Sequence, residues 1–123
     1  MRLDKLTIKA QEALSEAMDA ASQQGHPEIN TLHLLDALIA QEKGAVSSIL
    51  QRLGTPADKI RSEIRSRIAN LPRVSGAGAQ AGLGRDAQLA LDAGWKVAQT
   101  MRDEYLSTEH ILCGILENRS DPA

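Results

Sequence analysis

The 123-residue chain repeats itself, and the repeat constrains the fold more than any single motif does. Sliding the sequence by 77 residues aligns Leu6 with Leu83, Ala10 with Ala87, Gln11 with Gln88, Ala13 with Ala90, Leu14 with Leu91 and Ala21 with Ala98, with no gap. The same shift lays "NTLHLLDALI" at 30–39 over "STEHILCGIL" at 107–116, matching Thr31 with Thr108, His33 with His110 and Leu35 with Leu112. Two copies of one unit can bury their apolar stripes against each other, which predicts a pseudo-twofold assembly with a groove where the copies meet.

The repeating unit is helical. Leu6, Ala10, Leu14, Ala17, Met18 and Ala21 recur at helical spacing and stop at Gly25. A second helix opens at Asn30 or Thr31 and carries Leu34, Leu35, Leu38 and Ile39 to a stop near Gly44, and a third carries Val46, Ile49, Leu50 and Leu53 to Gly54. Thr55-Pro56-Ala57-Asp58 reads as a capping threonine, proline at the first helical position and an acid at the third, ahead of the stripe Ile60, Ile64 and Ile68. Two further helices fall at about 86–101 and 108–118. No strand-like alternation of useful length is present. With no Phe, and Trp95 and Tyr105 as its aromatics, the core must come from Ala, Leu, Ile and Val, which suits closely packed helices. The expected fold class is all-α: a duplicated helical repeat forming a pseudo-twofold bundle. Its domain layout is a single unit, 1–123, with repeat one at 1–72, a Gly-rich linker at 73–84 and a partial repeat two at 85–123. Counterparts of helices three and four would begin near position 122, so the second repeat is truncated at the C-terminus and an apolar face of it lacks its cover.

Composition excludes several function classes. A formal net charge of −2 gives no global attraction to nucleic acid or anionic membrane. A lone cysteine, Cys113, permits no internal disulfide; it sits in an apolar helix, where a buried, inert thiol is expected. The start "MRLDKLTIKAQ" has no signal-peptide core, and no segment has the roughly 20 apolar residues that span a bilayer, so a cytoplasmic domain is expected. No P-loop, G-x-S-x-G or H-E-x-x-H occurs, no carboxylates form a recognisable catalytic pair, and no catalytic residue is assigned. His33 and His110 lack the further ligands of a metal site and read as structural residues near the start of each inner helix. Lys59, Arg61, Arg65, Arg67 and Arg73 outnumber Asp58 and Glu63. A nucleic-acid stripe would use Arg61, Arg65 and Arg67, but without interleaved aromatics the reading is a solvated helix face.

"MRLDKLTIKAQEAL", "HLLDALIAQEKG", "LPRVSG" and "DEYLSTEHIL" together resemble the duplicated Clp N domain of the Hsp100/Clp AAA+ chaperones, and within them the ClpB disaggregase family, over nearly the whole chain. The resemblance implies a module tethered to a homohexameric AAA+ ATPase, with ATP and Mg bound by modules absent here and no cofactor in this segment. Its partners would be unfolded or aggregated proteins passed to the pore, and an Hsp70-type co-chaperone or adaptor. It also carries substrate-binding positions onto Thr7, Asp103 and Glu109, with Leu91 lining an apolar groove. Each has a plainer reading: Thr7 as a helix cap, Glu109 as a first-turn acid, Leu91 as core. The alternative from the same family is a docking or regulatory N domain of the ClpC or ClpA type. Leu32 stands where a second glutamate would be needed, so a symmetric pair of phosphoarginine sites is not expected.

Overall fold

A computed structural model describes residues 3–41, 43–72 and 81–117. After a short 3₁₀ turn at Leu3–Lys5 come α1 (Ile8–Gln23), β1 (Glu28–Ile29), α2 (Thr31–Ala40), α3 (Ala45–Arg52), α4 (Ala57–Ala69), β2 (Gly82–Leu83), α5 (Arg85–Thr100) and α6 (Thr108–Glu117).

Each copy pairs an outer and an inner helix, and small residues set how closely they pack. Ala10, Ala13, Ala17 and Ala21 form the buried stripe of α1. In α5 that stripe is Ala87, Ala90, Gly94 and Ala98. Helices α5 and α6 cross through Gly94 and Gly114: a Cβ on Gly94 would lie 2.6 Å from the His110 carbonyl oxygen, and one on Gly114 would land on the carbonyl oxygen of Ala90. The matching positions in copy one are Ala17 and Ala37. Helix α2 is the centre of the molecule, with Thr31–Leu35 and Ala37–Ile39 all buried. It contacts α1, α3, α4, α5 and α6.

The two copies exchange backbone. Strand β1 pairs in parallel with β2, Ile29 opposite Leu83, and an isolated parallel bridge joins Leu6 to Leu106. The 77-residue shift carries one pairing onto the other: Gly84 N–H donates to Ile29 O at 2.8 Å, and Thr7 N–H to Leu106 O at 3.0 Å. In both pairings, the residues leading into one copy's outer helix bond to the residues leading into the other copy's inner helix. This is the pseudo-twofold bundle expected from the repeat. The pairings were invisible to periodicity because each is only one or two residues long. The linker expected over 73–84 lies outside the described residues at 73–80, and its last residues are packed structure: Ala81 is buried and Gly82–Leu83 form β2.

Three other expectations change. Helix α2 stops at Ala40, before Gly44, which instead occupies the N-cap of α3. Pro56, not Thr55, occupies the N-cap of α4, and no side chain bonds there. Cys113 is exposed. Its mate in copy one is Asp36, which meets Arg61 at 3.0 Å and Arg65 at 3.8 Å across α2 and α4, so position 113 belongs to the flank that α4 covers in copy one. On the same side, Leu116 is 64% exposed, whereas its mate Ile39 is 4% exposed.

The outer helices also end alike. His26 N–H reaches Ala21 O and Asp103 N–H reaches Ala98 O, both at 2.9 Å, in the Schellman arrangement that requires a left-handed residue between. In copy one that residue is Gly25 (φ 75°); in copy two it is Arg102 (φ 61°), a side chain in a region costing L-residues roughly 1–2 kcal/mol. Arg102→Gly is therefore expected to raise stability by about 0.5–1 kcal/mol, part of the relief being offset by the freer unfolded chain. A denaturation midpoint unchanged or lowered by the substitution would show that Arg102 is unstrained.

Candidate functional site: the bridge between the copies

Thr7 lies far in sequence from Asp103 and Glu109, and the Leu6–Leu106 bridge brings the two segments together. Thr7 donates its N–H to Leu106 O, and Asp103 and Glu109 stand three residues before and after Leu106. The bridge residues are buried, but Ile8 (74% exposed) and Tyr105 (48%) flank them in solvent. Lys5 Nζ lies 5.5 Å from the centre of the Tyr105 ring, within cation–π range. The surface thus combines an apolar part, an aromatic ring and acidic groups.

Each polar residue also has a local partner. Thr7 is half-buried and caps α1, its Oγ1 accepting from Ala10 N–H at 3.2 Å, which leaves the hydroxyl proton to be donated. Glu109 is exposed in the first turn of α6 and accepts from Thr108 Oγ1 at 2.9 Å. Asp103 Oδ2 lies 2.9 Å from His110 Nε2, with the ring side chain 7% exposed and the carboxylate 45%. Leu91 is 1% exposed and belongs to the core, where its mate Leu14 is partly buried against it. Clefts do occur within the copies: one between α2 and α4 has Leu32, Leu35, Ile60 and Ile64 in its wall, and another on α5 and α6 sets Leu89 and Ala93 among Asp86, Asp92, Lys96 and Glu117.

The histidines are capping groups. Asn30 Oδ1 accepts from Leu32 N–H at 2.9 Å and His33 N–H at 3.4 Å, while His33 Nδ1 accepts from Asn30 N–H at 3.0 Å. This is a capping box with histidine in place of glutamate. In copy two, Ser107 N–H donates to His110 Nδ1 at 2.9 Å. The outer nitrogen, Nε2, differs in its partner. His33 Nε2 meets His26 Nδ1 at 3.0 Å with both rings buried, whereas His110 Nε2 meets Asp103, the mate of His26. Burial first, and the neighbouring imidazole second, hold the His33 pKa down at about 4, against the opposing pull of Asp86 and Asp36. The sequence signal for these pairs was the polar residue seven positions before each repeated histidine.

The three α4 arginines are paired. Arg61 and Arg65 face Asp36, and Arg67 Nε lies 3.2 Å from Glu63. Asp36, from α2, lowers the local positive surplus on which a nucleic-acid stripe would depend by one charge. Among the described residues, no group of three or more His, Cys, Asp or Glu could hold a metal, and no helix is long and apolar enough to cross a membrane.

Residues 5–123 match the model of the Clp repeat (R) N-terminal domain. The chain belongs to this family, whose domain is not a catalytic ATPase module. It is similar to two proteins named chaperone protein ClpB. With the one from Mycobacterium leprae it shares 38% identity over 117 residues, covering 95% of this chain and 14% of the relative. With the one from Rhodopirellula baltica it shares 39% identity over 114 residues, covering 93% and 13%. It therefore spans only about a seventh of the length of these relatives. The fold matches the Hsp104 N-terminal domain from Candida albicans with a TM-score of 0.85 at 22% identity, covering 94% of this chain and 76% of that one. It also matches a complex of the ClpV N-domain with a VipB peptide, at 0.81 and 23%, covering 96% and 71%.

Proposed function

We propose that this domain is the client-receiving module of a ClpB-type, ATP-dependent disaggregase in the cytoplasm. Its surface around the Leu6–Leu106 bridge takes exposed segments of unfolded or aggregated protein. The observation that carries this reading is the gathering of Thr7, Asp103 and Glu109 with exposed Ile8 and Tyr105 around one short backbone bridge. The similarity to ClpB chaperones over 95% of the chain supports the same role. A small surface of mixed apolar and acidic character binds extended chains weakly, which suits a module that must release its client. Several copies on one hexamer would compensate through effective concentration. ATP binding and hydrolysis belong to AAA+ modules elsewhere in such a protein, and an Hsp70-type partner or adaptor acts with the assembly.

The test is an NMR titration with a permanently unfolded, cysteine-alkylated lactalbumin. Shifts are expected at residues 5–8 and 103–109. Thr7→Ala is expected to weaken binding roughly three- to tenfold, the worth of one hydrogen bond, and Asp103→Ala and Glu109→Ala each by about tenfold or more, the worth of a charged one. If the shifts gather elsewhere and the three variants bind like the parent, the surface is not the client site. A stoichiometric complex with one folded protein would then favour an adaptor-docking domain.

A further inference from the structure

We infer that His110 is a positioning residue of this surface: taking the bridge region as the client site proposed above, His110 fixes the Asp103 carboxylate in the orientation that a client meets. Ser107 N–H donates to His110 Nδ1 at 2.9 Å, and a ring nitrogen that accepts an N–H carries no proton. The ring therefore bears its proton on Nε2 and donates it to Asp103 Oδ2 at 2.9 Å. The ring has little freedom. It is almost fully buried, and its own backbone is pressed against Gly94 at the α5–α6 crossing.

Asp103 is held from its backbone side as well, by the N–H bond to Ala98 O behind left-handed Arg102. With its backbone pinned and one oxygen held by His110, the carboxylate loses rotamer freedom before a client arrives, so less is left to lose on binding. Copy one separates this role from capping. Both histidines use Nδ1 to cap their inner helix, but His33 Nε2 meets a partner sealed in the core, whereas His110 Nε2 holds a carboxylate that is 45% exposed. Capping alone gives the second ring no need of an exposed partner.

The experiment is a double-mutant cycle on binding of the same alkylated lactalbumin, with unfolding midpoints measured alongside. In His110→Asn the side-chain oxygen can replace Nδ1 as the capping acceptor, but the side chain is too short to reach Asp103. In His110→Gln the amide N–H₂ can take the place of Nε2–H. Asp103→Ala is expected to weaken binding, and His110→Asn to weaken it by up to about tenfold in the parent but less than twofold in the Asp103→Ala background, with His110→Gln recovering most of the loss. An equal loss in both backgrounds would make His110 merely structural and overturn the inference while leaving the client site intact. Parent-like binding by Asp103→Ala, with client shifts still at residues 5–8 and 103–109, would also overturn the inference, whereas shifts gathered elsewhere would remove the client-site reading itself. Should His110→Asn not fold, the ¹H–¹⁵N signal of His110 Nε2–H decides: it is expected to shift when client is added to the parent and not to shift in Asp103→Ala. A signal indifferent to client in the parent overturns the inference.

Discussion

Gly114→Ala is expected to cost about 3 kcal/mol or more of folding stability, although alanine is the better helix former by about 1 kcal/mol. The added Cβ would fall on the Ala90 carbonyl oxygen and 2.7 Å from the Gly94 nitrogen, both main-chain atoms of α5 that no rotamer change can move. Relief requires separating α5 from α6, which would open the crossing under His110 and slacken the segment carrying Asp103. Helices α1 and α2 carry alanine at the matching positions 17 and 37, so Ala37→Gly is expected to cost about 2 kcal/mol, from lost helix propensity and one buried methyl. Urea unfolding of the two variants beside the parent reads both values. A Gly114→Ala protein as stable as the parent would mean that the crossing is loose and that the glycines do not set its spacing.

Acid is expected to weaken the fold through His33. Its folded pKa of about 4 lies below the ordinary 6.5. Above pH 6.5 neither state is protonated there, and the group is indifferent to pH. As pH falls from 6.5 toward 4 the unfolded chain takes up a proton that the folded one refuses, so stability is lost across this window, and below about 4 the loss is complete. A shift of this size corresponds to roughly 3 kcal/mol. Carboxylates titrate at the lower end of the same range, so a comparison variant is needed, and copy two supplies its design. His26→Asp recreates the Asp103–His110 pairing in copy one. A carboxylate beside His33 favours the protonated ring, so the decline between pH 6.5 and 4 is expected to become shallower. Position 26 is more enclosed than 103, so the variant should start less stable at neutral pH. Parallel stability curves for parent and variant would show that the imidazole pair does not govern acid sensitivity.

The helices were legible because spacing and caps recur. The alanine stripe of α1, the Asn30 cap and the isoleucine stripe of α4 all stand where hydrophobic period and turn chemistry put them. Other features depended on pairing rather than pattern. The two crosswise backbone pairings involve too few residues to show alternation. Cys113 looked buried because its neighbours are apolar, yet its mate Asp36 marks a helix flank that needs α4 as cover. Leu91 matched a groove position in sequence but packs in the core. Of the candidate site, Thr7, Asp103 and Glu109 came from resemblance, and the fold added what resemblance did not carry: the bridge that gathers them and the histidine that grips one of them.

The crosswise pairing at Leu6–Leu106 and Ile29–Leu83 also makes each copy depend on the other. Neither half satisfies its own main chain at these positions. Each lends its entry segment to the other, as two subunits do in an isologous dimer with exchanged arms. One repeat standing alone would leave these main-chain groups without their partners unless a second copy supplied them. Held in one chain the copies need not be identical, and position 26 is a sealed latch on His33 while its counterpart, Asp103, faces outward.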